Sequence, residues 1–388
     1  MISERPVTRL RTPPPSDDTL LIINDSENDS DLFYATGFLV GDPMIYLEHG
    51  GRKILLVSDL EYGRAQDEAD VDEIHGTAPL EAELRAAGKT PRLTSIVDLF
   101  LRSQGGAEKL CVPASMPFGL SRQLRKLGYE LECREDPIFP ESWVKTAEEI
   151  EHIANTQKAA EAAMGFVIET LRSSEIRDDL LYHEGEVLTS EWLRREAHKL
   201  LLDADCQAVT TIIAAADQCC DPHQRGFGPI PANQTIIIDI FPRSVVTRYW
   251  GDMTRTVVRG KASDAVKKIY QDVFDAQGGA IESIRNGACG KQIHHDIVAL
   301  FEERGNVTGE QDGKKVGFFH GTGHGVGLEI HENPRLGRIG HELKTGHVIT
   351  IEPGLYYPGV GGVRLEDLLV VTEDGYRNLT SFPKELEI

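Results

Sequence analysis

Two runs of β-branched residues each end on a carboxylate. One is Ile236-Ile237-Ile238-Asp239 and the other is Ile349-Thr350-Ile351-Glu352. Each is followed by a second acidic strand. Asp252 lies 13 residues after Asp239, in Gly251-Asp252-Met253-Thr254-Arg255-Thr256, and Glu366 lies 14 residues after Glu352, in Val363-Arg364-Leu365-Glu366-Asp367. The offsets between the two pairs are 113 residues (239 to 352) and 114 residues (252 to 366). An apolar strand is a poor place for a lone carboxylate, because burying an unpaired charge is costly. A single Asp-x-Thr-Arg is most often a salt bridge in a sheet. Two equivalent pairs are harder to explain that way, so the chain must fold as two similar halves whose carboxylates share cations.

The segment Phe318-Phe319-His320-Gly321-Thr322-Gly323-His324-Gly325-Val326-Gly327-Leu328-Glu329-Ile330-His331-Glu332 adds three histidines and four glycines. Its glycines fit neither G-x-G-x-x-G nor G-x-x-x-x-G-K-[ST], so it is not a phosphate loop. It is not H-E-x-x-H either, because Asn333-Pro334 follow His331-Glu332. A flexible linker would be rich in Gly and Ser and poor in His. Arg255 and Arg364 can neutralise part of the acidic set, and His324 offers a nitrogen donor. Four carboxylates and one imidazole suit two divalent ions of moderate hardness, such as Mn, Co, Fe or Zn.

Around this centre the periodicity predicts the rest. Residues 1–18 are polar, carry Pro13-Pro14-Pro15 and read as a flexible arm. Residues 19–142 alternate short apolar runs (Leu20-Ile23, Met44-Leu47, Ile54-Val57, Lys109-Val112) with helical stretches (Pro79-Ala87, Ile96-Leu101, Leu120-Leu127), which predicts an α/β domain with a mixed sheet. Pro137 and Pro140 mark a boundary, and residues 143–388 form the second domain. Thr146 and Glu149 fit a capping box opening a long helix. A second helix is expected over Tyr182-Leu201, then strands over Ala208-Ala214, Gln234-Phe241 and Val245-Val258. Helices at Ala262-Arg285 and Gly290-Arg304 and strands at Val348-Pro353 and Val363-Thr372 repeat the order helix, helix, strand, strand.

The net charge of −21 argues against nucleic acid or an anionic membrane as partner. No secretory h-region or membrane-length apolar run occurs. Six cysteines without a C-x-x-C pair read as reduced thiols, which points to the cytoplasm. The histidines at 75, 152, 183, 198, 294, 295, 341 and 347 read as surface or structural.

The residues Ile238-Asp239, Asp252-Met253-Thr254-Arg255-Thr256, His320 to Gly325, His331-Glu332, Ile351-Glu352-Pro353-Gly354 and Arg364-Leu365-Glu366-Asp367 resemble those of the M24 metallopeptidases, from about residue 146 to the end. Asp31 to Phe38 resembles the start of the creatinase/prolidase N-terminal domain, which favours the Xaa-Pro dipeptidase and Xaa-Pro aminopeptidase branch. The resemblance implies a C-terminal pita-bread domain, a homodimer, and hydrolysis of the Xaa-Pro bond of a dipeptide or short peptide by a dinuclear centre, most typically of Mn. It implies Asp239, Asp252, His324, Glu352 and Glu366 as metal ligands, with Asp252 and Glu366 bridging. It implies His223, His331 and Glu352 as catalytic, with Glu352 accepting the proton. It places Arg364 near the substrate and Arg335 on a substrate carboxylate. Two other readings share the fold: a creatinase-type hydrolase of non-peptide C–N bonds, and an inactive protein that binds peptides or proteins. The intact ligand set argues against both. The 13-residue spacing between Asp239 and Asp252 is two longer than usual in the family, and Phe241 stands where Gly is common. The extra residues are expected in a hairpin turn over Phe241-Tyr249.

Overall fold

The computed structural model describes residues 19–388 except Asp136; the expected arm, 1–18, lies outside the described residues. The chain divides into two compact units, one ending at Ser142 and one running Trp143–Ile388.

The first unit contains β1 (Thr19–Asn24), α1 (Ser30–Thr36), β2 (Met44–His49), β3 (Arg52–Val57), α2 (Tyr62–Glu68), β4 (Glu73–Gly76), α3 (Ala78–Ala86), α4 (Leu93–Ser103), β5 (Lys109–Pro113), α5 (Phe118–Lys126) and β6 (Glu130–Arg134). Its six strands form one sheet in the order β4-β3-β2-β1-β5-β6. The middle pairs β1/β2 and β2/β3 are antiparallel and the outer pairings are parallel, so the sheet is mixed. Alternate residues Leu21, Ile23, Ile45, Leu47, Ile54 and Leu56 pack on Ile96, Val97, Phe100 and Leu101 of α4. That is the period of two for a strand meeting the spacing of three to four for a helix.

The second unit opens with α6 (Ala147–Ser173), capped by Thr146 and Glu149 in the reciprocal manner their spacing predicts. There follow β7 (Glu175–Arg177), β8 (Leu180–His183), β9 (Glu186–Val187), α7 (Ser190–Asp203), β10 (Cys206–Ala208), β11 (Ile212–Ala215), β12 (Thr235–Ile240), β13 (Pro242–Ser244) and β14 (Met253–Val258). The second half contains α8 (Asp264–Glu282), α9 (Gly290–Glu303), β15 (Gly309–Gln311), β16 (Lys314–Val316), β17 (Gly323–Gly325), β18 (Glu332–Leu336), β19 (Val348–Ile351), β20 (Gly354–Tyr357), β21 (Gly361–Arg364), β22 (Asp367–Val371) and β23 (Tyr376–Asn378).

The two halves are built alike. Strands β11-β12-β14 pack on α6 and α7 through Ile236, Ile238, Ile240, Met253 and Val257. The sheet β18-β17-β19-β22-β23 packs on α8 and α9 through Ile349, Ile351, Leu369 and Val371. Strand alternation then sends Asp239 and Glu352 to the face away from the helices. A bridge between Thr254 and Glu366 joins the halves there. No helix among the described residues is long and apolar enough to cross a membrane, and all six cysteines are free.

Four expectations are corrected. Helix α7 begins at Ser190, not Tyr182, because Glu184 and Gly185 take positive φ (52° and 85°) and turn β8 back on β9. The strand expected over Val245-Val258 is only β14; Arg248, at φ 68°, belongs to a loop before it. The extra residues after Phe241 are not a plain hairpin turn, since β13 pairs with β10. The strand expected over Val363-Thr372 is likewise split at Leu365-Glu366 into β21 and β22.

Candidate metal centre

All nine candidate residues (His223, Asp239, Asp252, His324, His331, Arg335, Glu352, Arg364 and Glu366) line one cleft of about 720 Å³. Asp239 comes from β12, and Asp252 stands just before β14. His324 is the middle of β17, and Glu352 follows β19 directly. Glu366 sits in the break between β21 and β22, its carboxylate accepting from Thr254 Oγ1 at 2.7 Å. His223 and His331 are exposed at the cleft, and Arg335 is the β18 residue opposite His324.

One donor atom each from Asp252, His324 and Glu366 lies within 4.8 Å of the others. His324 Nε2 is 3.7 Å from Asp252 Oδ2 and 3.5 Å from Glu352 Oε1. Its Nδ1 stands 3.1 Å from the Gly325 carbonyl, which can only accept, so Nδ1 carries the proton and Nε2 offers a lone pair. Burial holds this imidazole neutral, down to about 3. A lone pair thus faces carboxylates with no proton of its own to share. Burial and the neighbouring carboxylates push Asp252 and Glu366 well above the usual carboxylate range, and burial pushes Glu352 up to about 7. Asp239 Oδ1 is buried without a hydrogen-bond partner. This donor set fits divalent cations: it is oxygen-rich and carries one imidazole.

The arginines divide differently from the sequence expectation that both would neutralise the set. Arg364 Nη2 pairs with Asp239 Oδ2 at 2.7 Å. Arg255 instead pairs with Asp367 at 2.9 Å and donates to the Glu366 carbonyl at 2.7 Å, so it fixes backbone behind the cleft. Several contributors were missed from sequence. Arg364 Nη1 donates to Tyr356 Oη (3.1 Å), which lies 2.9 Å from His320 Nε2, while His320 Nδ1 donates to Gly321 O (2.7 Å). Gln157 of α6 accepts from the Asp252 backbone N–H at 2.7 Å, and its amide donates to Thr380 at 3.0 Å. The His294 ring, buried in α9, meets Thr322 Oγ1 at 3.0 Å and supports the glycine segment from below. His320 had a signal in its motif; Tyr356 and Gln157 had none, Tyr356 lying 36 residues from His320 and Gln157 lying 95 residues from Asp252. Phe241 lines the cleft, and Trp250 Nε1 donates to Leu328 O at 3.0 Å.

The description of metallopeptidase family M24 matches residues 151–373. The chain is 31% identical over 342 residues to the Xaa-Pro dipeptidase of Pyrococcus horikoshii, covering 87% of this chain and 86% of that one. The crystal structure of the prolidase from Pyrococcus horikoshii OT3 superposes with a TM-score of 0.78 at 27% identity, covering 96% of both chains. An X-Pro aminopeptidase structure from Thermotoga maritima gives a TM-score of 0.79 at 22% identity over 96% of this chain and 98% of that one, a likeness of fold. With the family match extending over more than half of the sequence and across every residue lining the cleft, this chain is an enzyme of metallopeptidase family M24.

Proposed function

We propose that the protein hydrolyses the Xaa-Pro bond at the N-terminus of dipeptides or short peptides, using two divalent cations held by Asp239, Asp252, His324, Glu352 and Glu366. Mn is the first expectation, with Co, Fe or Zn as alternatives. The observation that carries the reading is the buried meeting of Asp252, His324 and Glu366 within 4.8 Å, around a lone pair and carboxylates that need a cation. The similarity to an Xaa-Pro dipeptidase over most of both chains supports the substrate class. Bound there, the cations would bring the pKa of water towards neutrality and polarise the scissile carbonyl.

The protein's own groups supply the rest. Glu352, whose Oε1 lies 3.5 Å from His324 Nε2 in the cleft, would accept a proton from the attacking water and deliver it to the leaving proline nitrogen. That nitrogen is a tertiary amide and depends on such delivery. His331 lines the same cleft and would donate to the developing oxyanion, with His223 as a second donor. Arg364 holds Asp239 in one orientation through the 2.7 Å contact. Arg335, exposed in the cleft, would take a substrate carboxylate.

The test is a panel of Ala-Pro, Met-Pro, Ala-Pro-Ala and a bradykinin-like Arg-Pro-Pro peptide, with and without Mn, beside Glu366→Ala. Metal-dependent cleavage of the dipeptides alone makes the activity a dipeptidase, and cleavage of the longer peptides makes it an aminopeptidase. Failure on all four with metal bound would overturn the proline assignment.

A further inference from the structure

A buried lysine and a partly buried glutamate in the second unit take no part in this chemistry. Lys145 precedes the cap of α6 and is 5% exposed. Its Nζ donates to Trp143 O at 3.1 Å and forms an ion pair with Glu332. Its backbone N–H donates to Gly346 O at 2.9 Å, so the stem is fixed as well. Glu332 is the residue after His331. Its carboxylate rests on the glycine segment; a Cβ at Gly327 would lie 2.6 Å from Glu332 Oε2.

Withdrawing charged groups from water is costly, and removing one partner of such a pair leaves the other uncompensated. Across β17 and β18, His324 faces Arg335 but Gly325 faces Glu332, so Asn333 and Pro334 bulge out of the ladder. A bulge interrupts strand pairing and bends the strand. Pairing resumes at Glu332, opposite Gly325, and His331 stands just outside the strand. The His331 ring stands edge-on to the His324 ring, at 4.5 Å and 89°.

We propose that Lys145 and Glu332 form a positioning pair, which anchors the bulge to the start of α6 and thereby holds His331 edge-on to His324 at the cleft. The functional consequence rests on the reading of His331 as a substrate contact. The placement of the ring does not, and is measurable without metal or substrate.

The experiment follows the His331 Hε1–Cε1 resonance in metal-free protein labelled at histidine, assigned with His331→Gln. Lys145→Met leaves Glu332 partly buried and unpaired, so it is accompanied by Lys145→Met/Glu332→Leu, which replaces both charges by apolar groups and preserves packing. Glu332→Gln serves if both of these fail to fold. In a variant that melts cooperatively, the His331 line should move or broaden while the line of exposed His295 stays in place. Lys145→Arg should restore it. On Ala-Pro with Mn, kcat should fall about tenfold or more with KM within about twofold, because a misplaced donor is felt most in the transition state. An unmoved His331 line in a folded variant overturns the proposal; a moved line with unchanged kcat supports the clamp and overturns the reading of His331 as a substrate contact. A wild-type protein inactive on every Xaa-Pro substrate overturns the proposed function instead, and leaves the resonance to decide the clamp.

Discussion

The carboxylate cluster should destabilise the protein until metal binds, and Glu366→Gln tests this directly. The amide keeps the size of the side chain and the oxygen that accepts from Thr254, but removes a charge. Asp252 and Glu366 present oxygens no more than 4.8 Å apart. Two like charges at that separation repel by about 3.5 kcal/mol at an effective dielectric constant of about 20. Arg364 and residual protonation offset part of this. For a unit of this size, each kcal/mol moves Tm by about 2–4 °C, so metal-free Glu366→Gln at pH 8 should melt about 5 °C or more above wild type. The pH dependence has a definite sign. The folded protein holds the protons of Asp252, Glu352 and Glu366 to higher pH than the unfolded chain does. Metal-free wild type should therefore lose stability as pH rises from the usual carboxylate range through about 7, and Glu366→Gln should lose less. Excess Mn should then reverse the order, because it stabilises only a folded state with an intact site. Calorimetry at pH 5 and pH 8, with chelator and with Mn, reads all of this. A metal-free variant less stable than wild type at pH 8, or equal stabilisation of both proteins by Mn, would refute the electrostatic account.

Other consequences are independent of it. Arg255→Met removes a buried guanidinium that holds Asp367 and the carbonyls of Glu366, Phe382 and Pro383, and should cost about 3–5 kcal/mol in urea unfolding; a loss under about 1 kcal/mol would contradict it. Gly226→Ala places a methyl 1.8 Å from the Ile213 carbonyl at φ 81°, so stability should fall by at least about 2 kcal/mol and KM should rise as the neighbouring His223 and Arg225 shift in the cleft; an unchanged Tm would show that the loop yields freely. Burial holds His347 neutral to about 4, against 6.5 for a free imidazole. Its contribution is complete above pH 6.5 and is lost as pH falls towards 4, so His347→Asn, which can still accept from the Lys344 N–H, should show a shallower acid decline in Tm than wild type.

Much of this arrangement was legible along the chain because it depends on local periods. The alternation in Ile236-Ile237-Ile238-Asp239 and Ile349-Thr350-Ile351-Glu352 already separates helix-facing residues from cleft-facing ones, and the repeat of that pattern predicts two like halves. The capping box at Thr146 is legible for the same reason, since both partners lie within one turn. The errors fall where a left-handed residue overrides a periodic pattern, as at Glu184-Gly185 and Arg248, and where a short strand finds a distant partner, as β13 finds β10.

By itself, then, the sequence determined which residues are candidates for the site and on which strand faces they lie, because strand and helix periods convert spacing into direction. Only the tertiary structure decided which charges meet. Nothing in the spacing sends Arg364 to Asp239 but Arg255 to Asp367, brings Gln157 of α6 to the Asp252 backbone, or sets Lys145 against Glu332 across 187 residues. Those pairings follow from how the two sheets and their helices stack, and burial then makes each one costly to leave unpaired.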